Sequence, residues 1–324
     1  MSGHQKALIG DVNHDFWLYD SQTGFDLTRP ANLTGKPGID TITISTTNLP
    51  VIVDPAKSAL VIVDMQNFFL SESLGRPAGS KGLLAQEELL KYAIPAARRA
   101  GIQIVWLNWN LSEDDLERMH PATLRAFGFD SMPAQKFNEL YRSNKRPDDS
   151  LKTDVSLNDN LGYDSRIYKG MGHDLGEVTL PDGTKISAGR QLMKDQWNTE
   201  MSKPLHDSYQ ASLNSSRPDV IIDKNRISGM HLPDRPAQQY FGQHGLKTLF
   251  FSGVNTDQCV LGTLADAYCQ GYDVIMLKDG CATTSAAGAQ QCVEDNTAKI
   301  MGFVTTCELF SKGVDDSLQK RGKT

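Results

Sequence analysis

Ala59-Leu60-Val61-Ile62-Val63 is an unbroken apolar run that ends on Asp64. A strand without polar and apolar alternation is buried on both faces, as in a parallel sheet covered by helices on either side. The residues that follow agree with this. Leu83 to Ala100 reads as a helix with Leu84, Leu89, Leu90, Ala93, Ala96 and Ala97 at its apolar positions. Pro95, which lacks an N–H and crowds the preceding turn, is expected to bend or split it, and Gly101 is placed to cap its end. Ile102-Gln103-Ile104-Val105-Trp106-Leu107 is the next strand, which completes a βαβ unit.

A second series starts after Pro218. Asp219-Val220-Ile221-Ile222-Asp223 reads as a strand running into Lys224, and Asp234 is placed to cap a helix through Gln243 with Pro236 in its first turn. Thr248 to Ser252 is a strand that leads into Gly253-Val254. Cys259 to Gln270 is expected to be helical, with Val260, Leu264 and Ala267 on one face and Gly271 just past the end. Val274 to Leu277, a helix over Ala286 to Lys299, and the strand Phe303 to Thr306 complete the alternation. Such a series predicts an α/β fold of three layers, αβα, around a central, mostly parallel sheet, Rossmann-like in plan. Ligand sites in these sheets lie beyond the C-terminal ends of the strands. Asp64, Lys224 and the turn from Gly253 to Cys259 all stand there.

Two regions fall outside the pattern. Residues 1–56 are polar, with short β-like runs such as Thr41-Ile42-Thr43-Ile44, and read as an N-terminal extension packed on a main domain of residues 57–312. Within that domain, residues 110–217 form an insertion read as a lid or substrate loop. Glu177 to Leu180 and Thr184 to Ser187 look like a β-hairpin around Pro181-Asp182-Gly183. Residues 313–324 read as a solvated tail.

The chain has 324 residues, 39% hydrophobic and 22% charged, with a formal net charge of -6. That balance gives no reason to expect a nucleic-acid partner. No stretch approaches the roughly 20 apolar residues of a membrane helix, and the first residues lack the apolar core of a signal peptide. Five cysteines, none in a C-x-x-C pair, suit free thiols and a reduced, cytoplasmic protein.

Cys259 follows a strand and opens a helix, where the helix dipole favours a thiolate. Lys224 offers a cationic neighbour. Asp64 is placed to take the thiol proton and return it to a leaving amine. Buried cysteines are ordinarily inert and single lysines ordinarily solvated, so none of the three carries the reading alone.

Together they resemble a known family. Val61-Ile62-Val63-Asp64-Met65-Gln66-Asn67-Phe68-Phe69 is similar to the first motif of the isochorismatase-like cysteine hydrolases, with its catalytic aspartate. The stretch from Asp219 to Met230 resembles their second motif, with its catalytic lysine, and Gly253-Val254-Asn255-Thr256-Asp257-Gln258-Cys259-Val260 their third, G-V-x-T-x-x-C-V. The likeness covers roughly residues 58–109 and 218–310. It implies a six-stranded parallel sheet and a catalytic triad of Asp64, Lys224 and Cys259, whose thiol forms a thioester with an amide or ureide carbonyl. It also implies a cis peptide at Val254–Asn255 and an oxyanion hole made by the backbone N–H groups of Asn255 and Cys259. Phe68, Phe69, Asn108, Trp109 and Gln258 are placed to bind substrate.

Departures from the family pattern shape the expectation. Metal-dependent nicotinamidases of the superfamily carry Asp-x-His after the second strand, where this chain has Leu107-Asn108-Trp109-Asn110. His120, His173, His206 and His231 show no ligand spacing, so neither a metal nor another cofactor is expected. Gly229-Met230 stands where Ala-Phe is more usual. The leading expectation is an amidohydrolase acting on a small amide, ureide or lactam-like compound. An isochorismatase-type vinyl-ether hydrolase is the alternative, with a catalytically silent binding protein behind it. The partners expected are a small-molecule substrate and a second copy of the chain, as a dimer or tetramer, with no nucleic acid and no membrane.

Overall fold

The computed structural model describes residues 4–33, 40–128, 169–231 and 236–322. Its first 53 residues contribute β1 (Lys6–Asp11), β2 (Asp15–Asp20), β3 (Gly24–Asp26), β4 (Ile42–Ile44) and β5 (Val51–Val53). These form a mixed sheet in the order β1-β2-β3-β5-β4. The main sheet follows, with β6 (Ser58–Val63), β7 (Gln103–Trp109), β10 (Val220–Lys224), β11 (Thr248–Val254), β12 (Asp273–Ala282) and β13 (Phe303–Thr305). Its order is β10-β7-β6-β11-β12-β13, and every neighbouring pair is parallel. The hairpin β8 (Glu177–Thr179) and β9 (Lys185–Ser187) forms in the insertion, antiparallel as its turn residues predict.

Period-2 geometry sorts the apolar run of β6 onto two cores. Leu60 and Ile62 enter one, with Ala96 and Ala97 of the helix Ile94–Ala100 and Phe310 and Val314 of the helix Cys307–Arg321. Ala59, Val61 and Val63 enter the other, with Phe241 of Pro236–Gln243 and Leu264 and Ala267 of Leu261–Cys269. Helices therefore cover both faces, and the three-layer plan holds.

The N-terminal sheet packs on the first of these cores through Ile42, Ile44, Val51 and Val53. Polar ties fix it in place. Buried Asp273 accepts from Trp17 Nε1 at 2.8 Å and from Arg29 Nη2 at 2.7 Å, and Thr47 donates its N–H to Val304 O at 2.8 Å.

Four readings change. Pro95 neither stops nor splits its helix; Lys81–Glu88, a π-helical turn at Leu89–Ala93 and Ile94–Ala100 run on continuously. The wider turn comes just before Pro95, whose missing N–H and bulky ring the ordinary ladder cannot accommodate. The helix expected from Cys259 starts earlier, with a π-helical turn at Thr256–Val260 ahead of Leu261–Cys269. The helix expected over residues 286–299 is Ala289–Asn296, followed by a π-helical turn at Thr297–Met301. Residues 313–321, read as tail, belong to the helix Cys307–Arg321, where Val314 is buried and Gly313 lies against the backbone of β4. The proposed cap Asp234 lies outside the described residues; the helix it was assigned to is present.

Candidate active site

Asp64 directly follows β6, Lys224 ends β10, and Cys259 sits in the π-helical turn after β11. These strands are not all neighbours, since β7 lies between β10 and β6. Lys224 spans that gap. It stands in register with Trp109 at the end of β7, its Nζ lies 3.8 Å from the Trp109 ring centroid, and it reaches to 3.0 Å from Asp64 Oδ2. The same Nζ donates to the carbonyls of Arg226 at 3.1 Å and Ile227 at 3.4 Å. An ammonium with a carboxylate, two carbonyls and an aromatic face around it tolerates burial that an unpaired one would not.

Local backbone geometry aims each group. Asp64 has φ +54°, an uncommon left-handed conformation for a side chain of this type, and its N–H donates to Leu107 O at 3.0 Å. Gln66 then clamps β6 to β7. Its Nε2 donates to Trp109 O at 2.7 Å, and its Oε1 accepts the Trp109 N–H at 3.0 Å. Gly253 has φ +114°, and a Cβ there would fall 2.0 Å from Val63 O, so only glycine fits where β11 closes on β6. The Val254–Asn255 peptide is cis. In the turn, Gln258 and Val260 donate their N–H groups to Asn255 O at 3.1 and 3.2 Å. Thr263 Oγ1 donates to Cys259 O at 2.7 Å and accepts the Gly229 N–H at 3.1 Å, which ties the cysteine turn to the lysine loop. Gly229 has a packing reason: a Cβ would meet the Leu107 side chain at 2.3 Å.

The electrostatics differ from the expectation. Burial pushes Asp64 above its ordinary value, against the opposing pull of the Lys224 charge and the Cys259 thiol beside it. Burial also pushes the Cys259 thiol up to about 12; Lys224 opposes this, and the Asp64 charge adds to it. The helix start and the lysine were expected to favour a thiolate. Desolvation outweighs them, because Cys259 is only 2% exposed, and the resting thiol keeps its proton. The Lys224–Asp64 contact is an ion pair by distance, and neither Asp64 oxygen is engaged in a well-directed hydrogen bond. Oδ2 faces the Lys224 ammonium, and a carboxylate beside a thiol in this way is placed to accept its proton.

Beside the cysteine turn opens a cleft of about 940 Å³, lined by neighbours of the three groups in sequence and not by Asp64, Lys224 or Cys259 themselves. Phe68, Phe69, Asn255 and Gln258 line it. Asn108 and Trp109 do not. They are 3% and 0% exposed, drawn into the sheet by their place at the end of β7, and Trp109 serves as the platform under Lys224. The sequence reading missed Gln66, Arg76 and Asp257. Gln66 stands inside the first motif and Asp257 inside the third; Arg76 lies in a loop with no periodic signal. Among the described residues no group of three or more His, Cys, Asp or Glu is arranged to hold a metal ion.

Residues 184–308 match the family model described as the Isochorismatase domain, a span that includes Lys224 and Cys259 but not Asp64. Among curated proteins, the chain is 24% identical over 274 residues to the ureidoacrylate amidohydrolase RutB of Rhizobium rhizogenes, covering 83% of this chain and 87% of that protein. It is 25% identical over 269 residues to the RutB of Variovorax paradoxus, covering 81% and 82%. Among solved structures, the cysteine hydrolase from Pseudomonas syringae pv. phaseolicola superposes with a TM-score of 0.52 at 16% identity, over 88% of this chain and 100% of that one, a likeness of fold.

Proposed function

We propose that this chain, which is similar to the isochorismatase-like hydrolases, is an amidohydrolase that cleaves a C–N bond of a small amide or ureide through a thioester on Cys259. One observation carries the reading: Asp64 and Lys224 form a buried ion pair at 3.0 Å, with the Cys259 thiol against the carboxylate and a cleft lined by Asn255 and Gln258 of the same turn. The amidohydrolase names of its relatives support the choice of a C–N bond.

In this mechanism Asp64 takes the proton from Cys259 Sγ as sulfur adds to the carbonyl carbon. Coupling the two events matters, because a thiol pushed up to about 12 does not ionise beforehand at neutral pH. Backbone N–H groups of Asn255 and Cys259 receive the oxyanion, each worth roughly 10²–10³ in rate. Collapse breaks the C–N bond, and Asp64 returns the proton to the leaving nitrogen. Water then adds to the thioester, giving a proton to Asp64, which passes it to the departing sulfur. Lys224 holds the Asp64 carboxyl group in place and favours its ionised form between the proton transfers. Ammonia or amine release from a panel of amides and ureides tests the reading. Turnover is expected from the wild type and none from Cys259→Ala; equal rates from both would refute it.

A further inference from the structure

Trp109 carries a donor that the resting protein leaves unused. It and Trp106 are the fully buried tryptophans. Trp106 Nε1 donates to Asp219 Oδ2 at 3.1 Å, whereas Trp109 Nε1 is sealed from solvent with no hydrogen-bond partner. An unpaired buried N–H is costly and ordinarily has a reason. The ring itself is held firmly. Gln66 accepts the Trp109 backbone N–H at 3.0 Å and donates to its carbonyl at 2.7 Å. The Lys224 ammonium lies 3.8 Å from the ring centroid, and the Phe127 ring meets the indole edge-on at 5.5 Å. The indole N–H reaches the Cys259 thiol, though not in a well-directed hydrogen bond. Burial pushes that thiol up to about 12, and Lys224 and the indole N–H pull against it. Lys224 acts on the sulfur by its charge. Of its three donors, two go to the carbonyls of Arg226 and Ile227, and its contact at 3.0 Å is with Asp64. In the cysteine turn, the Gln258 and Val260 N–H groups are spent on Asn255 O.

We infer that the Trp109 indole N–H donates a hydrogen bond to Cys259 Sγ whenever that sulfur carries negative charge, which makes Trp109 a further catalytic residue. This rests on the thioester reading and deepens it by naming the donor that serves the sulfur. No proton leaves the indole. Asp64 takes the thiol proton as Sγ bonds to the carbonyl carbon, and the N–H offsets the charge that the sulfur gains in that transfer. When water has added to the thioester and the C–S bond breaks, the bonding pair returns to Sγ. The same N–H steadies it until Asp64 delivers the proton. A donor already fixed in a dry wall needs no rearrangement at either moment, and it bonds a charged sulfur more strongly than a neutral thiol. The N–H therefore stands unpaired in the resting state and is used only during the reaction.

The test removes the N–H and keeps the ring. In the full-length Cys269→Ser/Cys292→Ser protein, benzothienylalanine installed at position 109 by stop-codon suppression puts sulfur in place of the indole N–H within the same fused-ring shape. Trp109→Phe, which loses both the N–H and part of the ring, is its companion. The probe is dithiodipyridine, and its rate of reaction with Cys259 is followed across pH by mass analysis of the Cys259 peptide. A hydrogen bond to a charged group changes the thiolate population by roughly 10- to 100-fold, and the greater nucleophilicity of the more basic thiolate returns about half of that on a logarithmic scale. The benzothienyl protein is therefore expected to react about 3- to 10-fold more slowly than its parent at each pH, with Trp109→Phe at least as slow. An unchanged or faster rate in the benzothienyl protein overturns the inference. If Trp109→Phe alone is slow, the ring is only the platform under Lys224, which also overturns it. Ammonia release from amides by the wild type separates the two ideas. Amide turnover with an unchanged labelling rate defeats the Trp109 assignment alone; slowed labelling with no amide turnover defeats the amidase reading alone.

Discussion

Lys224 Nζ and Asp64 Oδ2 stand 3.0 Å apart with side chains 2% and 0% exposed, an ion pair that bridges two strands across the end of a third. Removing one partner of such a pair strands an uncompensated charge, which costs about 3–5 kcal/mol, whereas replacing both by apolar groups is often neutral. Lys224→Met, which leaves the buried Asp64 charge without its counter-ion, should lower unfolding free energy by about that amount, and Asp64→Asn should cost less, because burial already disfavours the Asp64 charge. Asp64→Leu/Lys224→Met should recover most of the loss. Urea denaturation of the four proteins checks it, and simple additivity would contradict the pairing.

The direction of the Asp64 shift sets the pH profile. Its pKa is raised above the ordinary 3.8 by burial, and in the proposed mechanism the ionised form is the base. The acid limb of kcat/KM is therefore expected above the usual carboxylate range, with activity lost as pH falls through it. Lys224 pulls in the other direction, so residual activity of Lys224→Met should show the limb moved higher still. Linkage gives the same sign for stability. Asp64 contributes most below its unfolded value of about 3.9, and that contribution is lost as pH rises through the raised folded value. A limb at or below the ordinary value would contradict the burial argument.

Alkylation tests the thiol. Cys269 and Cys292 are exposed, whereas Cys259 is buried with its pKa pushed up to about 12. Iodoacetamide should modify the two exposed thiols first, the reverse of what the helix start suggested. In a Cys269→Ser/Cys292→Ser background, labelling of Cys259 should keep rising with pH across the range in which the fold survives. A plateau near neutrality would mean a low-pKa thiolate.

Gly253→Ala probes the junction that sets the cysteine turn. Positive φ costs an ordinary residue about 1–2 kcal/mol and overpacking about 1–3 more. A new Cβ 2.0 Å from Val63 O faces backbone, which has little freedom to yield. A drop of about 2–5 kcal/mol in chemical denaturation is expected, as the sum of those costs. A drop under about 1 kcal/mol would show that the strands separate easily.

The fold was legible because β6, β7, β11 and β12 are apolar runs too long and uniform for a surface strand. The proposed triad was legible because Asp64, Lys224 and Cys259 end or follow such runs. What stayed hidden depends on directions that no run of residues encodes. Trp109 ends a strand at the cleft side, yet its ring turns inward beneath Lys224. Arg76 lies 12 positions after Asp64 in an aperiodic loop, and only the folded chain brings it beside Phe68. Helical periodicity does not separate a π-helical turn from an α-helical one, so Thr256–Val260 and Leu89–Ala93 read as ordinary helix. The sign of the thiol shift required the burial of Cys259, which outweighs the charge beside it.

The central claim is that the acyl group passes through Cys259 Sγ. Acid-quenching the wild type during turnover of an accepted amide, followed by intact-mass and peptide mass analysis, measures this directly. The account predicts an added acyl mass on the peptide that holds Cys259, released by hydroxylamine and absent from Cys259→Ala. C–N cleavage at the wild-type rate by Cys259→Ala, with no acylated Cys259 peptide in the wild type, would contradict it.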